Sequence, residues 1–232
     1  MEEIWNDVDD YFATRLEHGD QALDDAIIAS ADAGLPAIAV TPLQGKLLAV
    51  LARIGNARRI LEIGTLGGYS AIWMARALAE GGQLVTLELE PRHAAVAQRN
   101  IERAGLGDRV RIIVGPAAGS LMTLIADRVE PFDLIFIDAD KQSSDVYFRA
   151  ALELSHVGTA ILIDNVVREG KVADTGTDDE NVQGIQRMTD LIAAEPRVSA
   201  TAIQTVGGKG YDGFVLAVVV EPTGDARRGG KA

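Results

Sequence analysis

Short apolar runs alternate with longer amphipathic segments over most of this chain of 232 residues. The runs are rich in β-branched and aromatic residues and are bounded by turn residues, which is typical of buried strands in a parallel sheet. In chain order the pattern predicts strand 59–63, helix 70–78, strand 83–87, helix 91–104, strand 110–114, a helix near 120–126, strand 132–137, helix 145–154 and strand 159–163. This alternation predicts βαβ units, and hence an α/β fold with helices on both faces of the sheet.

The two ends of the chain depart from this alternation. Residues 1–40 are predicted to form a helical extension, followed by a helix that Thr41 and Gln44 open as a capping box. Near the other end, after a helix over 178–194, two strands are predicted over 199–206 and 214–220. Because only a short Gly-rich segment joins these two strands, they must run antiparallel.

The composition predicts one domain over residues 1–221, since 47% of the residues are hydrophobic and no Pro-, Gly- or Ser-rich linker divides the chain. The remaining segment, 222–232, is rich in Gly and Arg and is predicted to be a disordered tail. The chain has no cysteine, which excludes disulfides and thiolate chemistry and is compatible with a reducing compartment.

The charge and the hydrophobic pattern exclude several classes of partner. The net charge of −12 repels a phosphate backbone, so no nucleic acid is expected. No apolar span of membrane length occurs and the N-terminus is acidic, so neither membrane insertion nor export is expected. We therefore expect a cytoplasmic protein with a small ligand that is neutral or cationic.

Acidic residues follow two of the predicted strands. Asp138 comes after strand 132–137, and Asp164 comes after strand 159–163. Taken singly, each is more often a helix cap or a turn residue than a ligand of a metal. If the strands are neighbours, about 4.8 Å apart, the two carboxylates converge at the edge where open α/β sheets bind ligands. Two converging anions favour a divalent, oxygen-liking cation between them.

A Gly-rich turn follows the first strand, with Gly64, Gly67 and Gly68 opening the next helix. Its spacing is neither that of dinucleotide binders nor that of a P-loop, which disfavours NAD and nucleoside triphosphates. Alone, the turn is equally consistent with close strand–helix packing. However, Glu88 stands 20 residues beyond Gly68, where an acidic residue accepts both hydroxyls of a ribose. Together these features indicate a nucleoside ligand without pyrophosphate.

Four motifs carry a resemblance to a known family. They are Leu61-Glu62-Ile63-Gly64 with Gly68-Tyr69-Ser70, Phe136-Ile137-Asp138-Ala139-Asp140-Lys141, Asp164-Asn165-Val166 and Asp212-Gly213. From residue 35 to 220 the chain resembles the metal-dependent O-methyltransferases of the catechol and caffeoyl-CoA type, particularly their bacterial members. The resemblance implies the Rossmann-like class I methyltransferase fold, with a seven-stranded sheet in the order 3-2-1-4-5-7-6 and strand 7 antiparallel. It also implies a homodimer, for which the apolar N-terminal helices could form the interface.

The resemblance further implies S-adenosylmethionine as cofactor and a divalent metal, Mg²⁺ in the first place with Ca²⁺ or Mn²⁺ as alternatives. The implied cofactor residues are Val40, Glu62, Gly64, Tyr69, Ser70, Glu88, Gly115, Ala117 and Asp138. The implied metal ligands are Asp138, Asp164 and Asn165. Lys141 and Asp138 are the implied catalytic residues. Lys141 could take the acceptor proton as a base or stay cationic and stabilise an oxyanion, and the sequence leaves both roles open.

The implied activity is methyl transfer to a hydroxyl of a small catechol-like phenol. The alternatives are a non-catalytic S-adenosylmethionine-binding protein, which would be expected to lose Lys141 or a metal ligand, and a nicotinamide-dependent oxidoreductase. Three residues, Leu66, Ser144 and Arg168, depart from the family pattern near the substrate mouth and leave the acceptor open. The histidines, His18, His93 and His156, are predicted to be surface groups away from these motifs.

Overall fold

The computed structural model describes residues 2–16 and 20–222. His18 and, apart from Pro222, the predicted tail lie outside the described residues. The helices are α1 (Glu2–Leu16), α2 (Gln21–Asp32), α3 (Pro42–Ile54), α4 (Tyr69–Ala77), α5 (Pro91–Arg103), α6 (Ala117–Ala126), α7 (Ser144–Glu153) and α8 (Glu180–Ala194), with 3₁₀ helices at Lys141–Ser143 and Arg168–Ala173. The strands are β1 (Arg59–Ile63), β2 (Gln83–Glu88), β3 (Val110–Val114), β4 (Phe132–Ile137), β5 (Ser155–Asp164), β6 (Val198–Gly207) and β7 (Gly210–Val219). No helix in these ranges is long and apolar enough to cross a membrane.

The strands form one sheet in the order β3-β2-β1-β4-β5-β7-β6. Strand β7 is antiparallel to both neighbours, and the other pairs are parallel. This confirms the Rossmann-like methyltransferase arrangement that the resemblance implied. Buried residues of α2 to α5, such as Leu48 and Ile72, form a core on one face of the sheet. Those of α6 to α8, such as Leu124, Phe148 and Ile185, form a second core on the other face.

The register of the central strands determines where the site lies. Ile63 at the end of β1 pairs with Ile137 at the end of β4, and Ile137 pairs with Ile163 in β5. The three strands therefore reach the same edge of the sheet together. As a consequence, Gly64, Asp138 and Asp164, which each follow one of these residues, meet at that edge.

Helix α3 begins with the predicted capping box. Thr41 Oγ1 accepts a hydrogen bond from the Gln44 backbone N–H at 3.2 Å, and Gln44 Oε1 accepts one from the Thr41 N–H at 3.1 Å. Pro42 at the first helical position lacks an N–H that would need a partner. The box fixes the entry into α3, directly after the segment that contains Val40.

The largest differences from the predicted elements are in the last strands. Strand β5 begins at Ser155 rather than residue 159, and β7 begins at Gly210 rather than residue 214. The pairing of β6 with β7 continues through the Gly-rich segment to Gly207 and Gly210, so only residues 208 and 209 turn. Hydrophobicity marks the buried part of a strand, whereas backbone pairing also includes its exposed ends.

Candidate active site

Gly64 brings the end of β1 against the end of β4. Its φ of 102° lies in the left-handed region, and a Cβ atom there would stand 2.1 Å from the Asp138 carbonyl oxygen. Asp138 in turn donates its backbone N–H to Ile63 O at 2.8 Å. A side chain at residue 64 would push the two strand ends apart. Gly64 therefore allows the Gly-rich turn and Asp138 to lie side by side in the wall of one cavity.

Glu88 ends β2 with its carboxylate beneath the same turn. One oxygen accepts the backbone N–H groups of Leu66 at 2.8 Å and Thr65 at 3.2 Å, and the other accepts that of Glu90 at 3.0 Å. His93 Nδ1 lies 3.4 Å from the carboxylate, so the prediction that this histidine is remote from the motifs was wrong. Since a carboxylate has about four acceptor positions, Glu88 retains capacity for a ligand hydroxyl.

Glu62 lies one layer below this wall. It has no solvent exposure and accepts hydrogen bonds from Ser70 Oγ at 2.5 Å and Thr86 Oγ1 at 2.6 Å. Burial raises the pKa of Glu62 to about 8, although both hydroxyls oppose the shift. The structure therefore places Glu62 as a support for Ser70, and Ser70 itself reaches the surface of the site.

A cavity of about 960 Å³ opens at this edge of the sheet. The predicted site residues in its wall are Val40, Gly64, Tyr69, Ser70, Glu88, Ala117, Asp138, Lys141 and Asn165. Glu62, Gly115 and Asp164 are predicted site residues that do not form this wall. Gly115 itself does not line the cavity, but Pro116 and Ala117, which follow it in the chain, do. Asp164 borders a smaller space behind the cavity wall.

Lys141 and Asp138 form an ion pair at the cavity wall, with 2.8 Å between Nζ and Oδ1. Lys141 starts a 3₁₀ helix that Asp140 caps by accepting the Ser143 backbone N–H at 3.2 Å. Tyr147 donates its hydroxyl to the other Asp140 oxygen. Asp140 is therefore structural, and it holds the loop that presents Lys141.

Asp164 ends β5 almost fully buried, at 4% exposure. Burial and then repulsion by Asp138 raise its pKa to about 7, while Lys141 opposes the shift. The pairing of β4 with β5 brings the two residues to the same edge of the sheet. The next residue, Asn165, has a φ of 58°, a left-handed conformation that Asn tolerates better than most residues.

Comparison with known sequences identifies the family. The profile of the family described as O-methyltransferase matches residues 17–218. The chain belongs to the O-methyltransferase family. It is 50% identical over 217 residues to a catechol O-methyltransferase of Niastella koreensis, covering 94% of this chain and 98% of the relative. It is 48% identical to a catechol O-methyltransferase of Mycobacterium tuberculosis, covering 92% and 95% of the two chains.

Solved structures agree with this assignment. An O-methyltransferase from Bacillus cereus in complex with SAH superposes with a TM-score of 0.93 at 56% identity, covering 94% of this chain and all of that one. The O-methyltransferase TomG from Streptomyces achromogenes, involved in tomaymycin synthesis and solved with SAM, gives a TM-score of 0.92 at 48% identity, covering 95% and 99%. This chain is therefore an O-methyltransferase with the class I fold.

The donor groups of this O-methyltransferase fit the divalent cation that the resemblance implies. Within the described part of the chain, no three His, Cys, Asp or Glu side chains come together as a metal site. The candidate donors are instead the carboxylates of Asp138 and Asp164, with the side-chain amide of Asn165 as a candidate third. All three offer oxygen, which Mg²⁺ and Ca²⁺ prefer. A cation would also relieve the repulsion that raises the pKa of Asp164.

The structure adds residues that the sequence did not single out for the site. Gln44 reaches Asp164, Tyr147 holds Asp140, and the Lys209 ammonium donates to Ala39 O beside the cavity. Burial lowers the pKa of Lys209, and the charges of Asp138 and Asp164 oppose this. Each contact joins segments far apart in the chain or depends on loop geometry, so hydrophobic patterning carries no signal for it.

The three departures from the family pattern take different positions in this O-methyltransferase. Leu66 and Arg168 line the cavity, whereas Ser144 is buried at the start of α7. Asp212 Oδ1 accepts the backbone N–H groups of Val167 at 3.0 Å and Arg168 at 3.1 Å. Arg168, with a φ of 53°, is thus held in the left-handed conformation at the mouth by Asp212.

Proposed function

We propose that this O-methyltransferase transfers the methyl group of S-adenosylmethionine to one hydroxyl of a small phenol that carries two adjacent hydroxyls. We further propose that Asp138, Asp164 and Asn165 hold a divalent cation, Mg²⁺ in the first place. The observation that carries the proposal is that the Gly-rich turn, Glu88 and the Asp138–Lys141 pair all face one cavity. The SAM and SAH in related structures and the catechol O-methyltransferase relatives support it.

The cofactor would lie along the Gly-rich turn. S-adenosylmethionine supplies an electrophilic methyl group on its sulfonium. Glu88, which the backbone of the turn fixes in place, would accept a hydroxyl of the ribose. Tyr69 and Ser70 at the start of α4 would contact the methionine part, and Ala117 at the start of α6 would border the adenine. These contacts would direct the methyl group towards Asp138 and Lys141.

The acceptor would lie at the carboxylate end of the cavity. Asp138, Asp164 and Asn165 would hold a divalent cation that two adjacent hydroxyls of the acceptor would chelate, which would lower the pKa of one hydroxyl. The residues of the chain then supply orientation, because displacement needs the oxygen in line with the methyl group and near 3 Å from it. A phenol with one hydroxyl would lose this orientation.

The structure favours a free phenol over a coenzyme A thioester as acceptor. Of the cations near the mouth, Lys171 is paired with Glu169 at 3.1 Å, Lys209 donates to Ala39 O, and Arg168 lines the cavity. The net charge of −12 adds no general attraction for an anionic thioester. Arg168 instead suits a small acceptor with a single anionic group.

The proposal is tested by initial rates on matched diphenols, monophenols and diphenolic thioesters, with and without exhaustive chelation. We expect turnover of the diphenol only, lost on chelation and restored by Mg²⁺. Equal rates on the diphenol and monophenol, or full activity after chelation, would overturn the chelation argument. A strong thioester preference would overturn the assignment of a small acceptor.

Two substitutions at Lys141 separate its alternative roles. Arg keeps the positive charge but cannot act as a base, whereas Met removes both properties. Activity retained in Lys141→Arg and lost in Lys141→Met would show that the cation stabilises the acceptor oxyanion. Loss in both variants, with cofactor and Mn²⁺ affinities unchanged, would show that Lys141 removes the proton.

A further inference from the structure

The side chain of Gln44 joins the start of α3 to the end of β5. Its Oε1 accepts the Thr41 backbone N–H at 3.1 Å, and its Nε2 donates to Asp164 Oδ1 at 3.4 Å. Gln44 and Asp164 are 120 residues apart in the chain. One amide group therefore completes a helix cap and contacts a proposed metal ligand.

Gln44 is the polar neighbour of Asp164 in an apolar part of the interior, and the Asn165 backbone N–H is a further donor to the same carboxylate. The small space behind Asp164 is bordered by Gln44 and by apolar residues: Val40, Leu47, Leu48, Phe136, Leu162 and Phe214. A buried carboxylate oxygen without a donor costs free energy, and these apolar side chains supply none. Gln44 provides a side-chain N–H group to Oδ1 of this carboxylate.

The cap also fixes which way the amide points. A flipped Gln44 would turn its oxygen towards the carboxylate and its NH₂ group towards the Thr41 N–H, which loses both hydrogen bonds. The distance of 3.4 Å from Gln44 Nε2 to Asp164 Oδ1 is long for a hydrogen bond, so the contact adds little to the stability of the fold.

We propose that Gln44 is a positioning residue for the cation site: it holds one oxygen of Asp164 so that the other faces Asp138. This inference rests on the proposed function, because it assumes a cation between the two carboxylates. Hydrogen-bonding partners of metal ligands typically contribute 10–100-fold to metal affinity. The same side chain fixes Thr41 next to Val40, so the cap links the cation end of the cavity to its cofactor end.

The test is calorimetric titration of Mn²⁺ alone into the full-length protein, together with thermal unfolding of the same samples. Gln44→Met keeps the length of the side chain and removes both hydrogen bonds. Thr41→Ala is the matched control, because it removes the other half of the capping box and leaves the Asp164 contact in place. Gln44→Asn keeps the amide but is too short to reach both partners, and it serves if the Met variant does not fold.

We expect Gln44→Met and Gln44→Asn to bind Mn²⁺ about 10-fold more weakly than the wild type, and Thr41→Ala to bind it equally well despite a lower melting temperature. Equal affinity in the wild type and both Gln44 variants would overturn the role of Gln44. Equal weakening in Thr41→Ala would also overturn it, since helix stability would then be the cause. A wild type that binds no Mn²⁺ would overturn the proposed cation site itself.

Discussion

The carboxyl group of Glu62 is fully buried directly behind Ser70, and burial raises its pKa to about 8 from an ordinary value of 4.5. Between these two values the native state keeps a proton that the unfolded chain loses. Because the native state then binds more protons than the unfolded state, stability falls as the pH rises from about 4.5 to about 8. Below about pH 4.5, where Glu62 is protonated in both states, its burial as a neutral group does not lower the free energy of unfolding in this way.

We expect Glu62→Gln to remove this pH dependence. The amide oxygen still accepts from Ser70, and no charge has to be buried at high pH. Relative to the wild type, the variant should gain roughly 1 to a few kcal/mol on going from pH 5 to pH 8, since one pKa unit corresponds to about 1.4 kcal/mol. Urea unfolding at both pH values measures the effect. Parallel pH profiles for the two proteins would show that Glu62 does not titrate in this range.

Glu88 carries the second residue-scale prediction. Hydrogen bonds to a charged group contribute about 1.5–3 kcal/mol each, so Glu88→Gln should weaken S-adenosylmethionine binding about 10-fold or more. Mn²⁺ affinity should not change, because Glu88 lies on β2, away from the carboxylate pair. Glu102→Gln is the matched control, because Glu102 is exposed on α5 and does not border the cavity. An unchanged cofactor dissociation constant in Glu88→Gln would place the ribose contact elsewhere.

The position of a site residue could be predicted from the sequence where that residue directly follows a strand. The convergence of Asp138 and Asp164 follows from the hydrophobic pattern, because parallel strands end at a common edge. The depth of Glu62 and the contact of Gln44 with Asp164 depend on side-chain packing across elements. No pattern within one segment carries that information. The roles of Lys141 and Asn165 came from the family resemblance and remain predictions.

At the scale of elements, Gly184 sets how closely α8 approaches the loop that presents Lys141. A Cβ atom at this position would stand 2.1 Å from Lys141 O and 2.8 Å from the Cα of Gln142. Since the neighbouring atoms are backbone, they cannot move aside cheaply. The absence of a side chain at residue 184 therefore lets α8 pack directly against the loop that carries Lys141.

We expect Gly184→Ala to destabilise the fold by about 1–3 kcal/mol through overpacking and to lower kcat by displacing Lys141. Gly119→Ala in α6 is the control, because nothing lies within 4 Å of the added Cβ atom. It should stabilise the protein by about 0.5–1 kcal/mol without a change in kcat. Chemical unfolding and initial rates on both variants provide the comparison. A Gly184→Ala enzyme with normal stability and kcat would contradict the packing argument.

The type of each α-helix and strand was predicted correctly, whereas the residues at which some of them begin were not. Helix α6 begins at Ala117, three residues before the predicted start, because Pro116 precedes it at the cap. Strand β7 begins in the Gly-rich segment, where pairing with β6 rather than burial defines the strand. The exposed ends of elements lack the hydrophobic signal on which the predictions depend.

For the whole molecule, the alternation of strands and helices predicted a parallel sheet, and the short last connection predicted an antiparallel pair. The strand order came from the family resemblance, because many orders satisfy the same alternation. The sheet confirms that order. The order matters for function, since it places β1, β4 and β5 side by side and so gathers the cavity residues at one edge.

The last prediction concerns assembly. Helix α1 contacts β6 and α3, yet it exposes a set of apolar side chains that are each 45% to 64% exposed: Ile4, Val8, Tyr11, Phe12 and Leu16. A monomer rarely exposes such a contiguous apolar face. We propose that a second copy of the chain covers it, as the predicted homodimer requires. The net charge of −12 on each copy opposes association, so the dimer should strengthen as salt screens the repulsion.

Light scattering after size exclusion should therefore give a dimer mass at 0.15 M salt, with dissociation favoured at low ionic strength. Val8→Glu with Phe12→Glu should yield a folded monomer, because the added charges would be buried in the interface. Met122→Glu is the control, since Met122 is 64% exposed on α6 and far from α1 in the chain. It should remain dimeric. A monomeric wild type, or a dimer that survives both charges on α1, would exclude this helix as the interface.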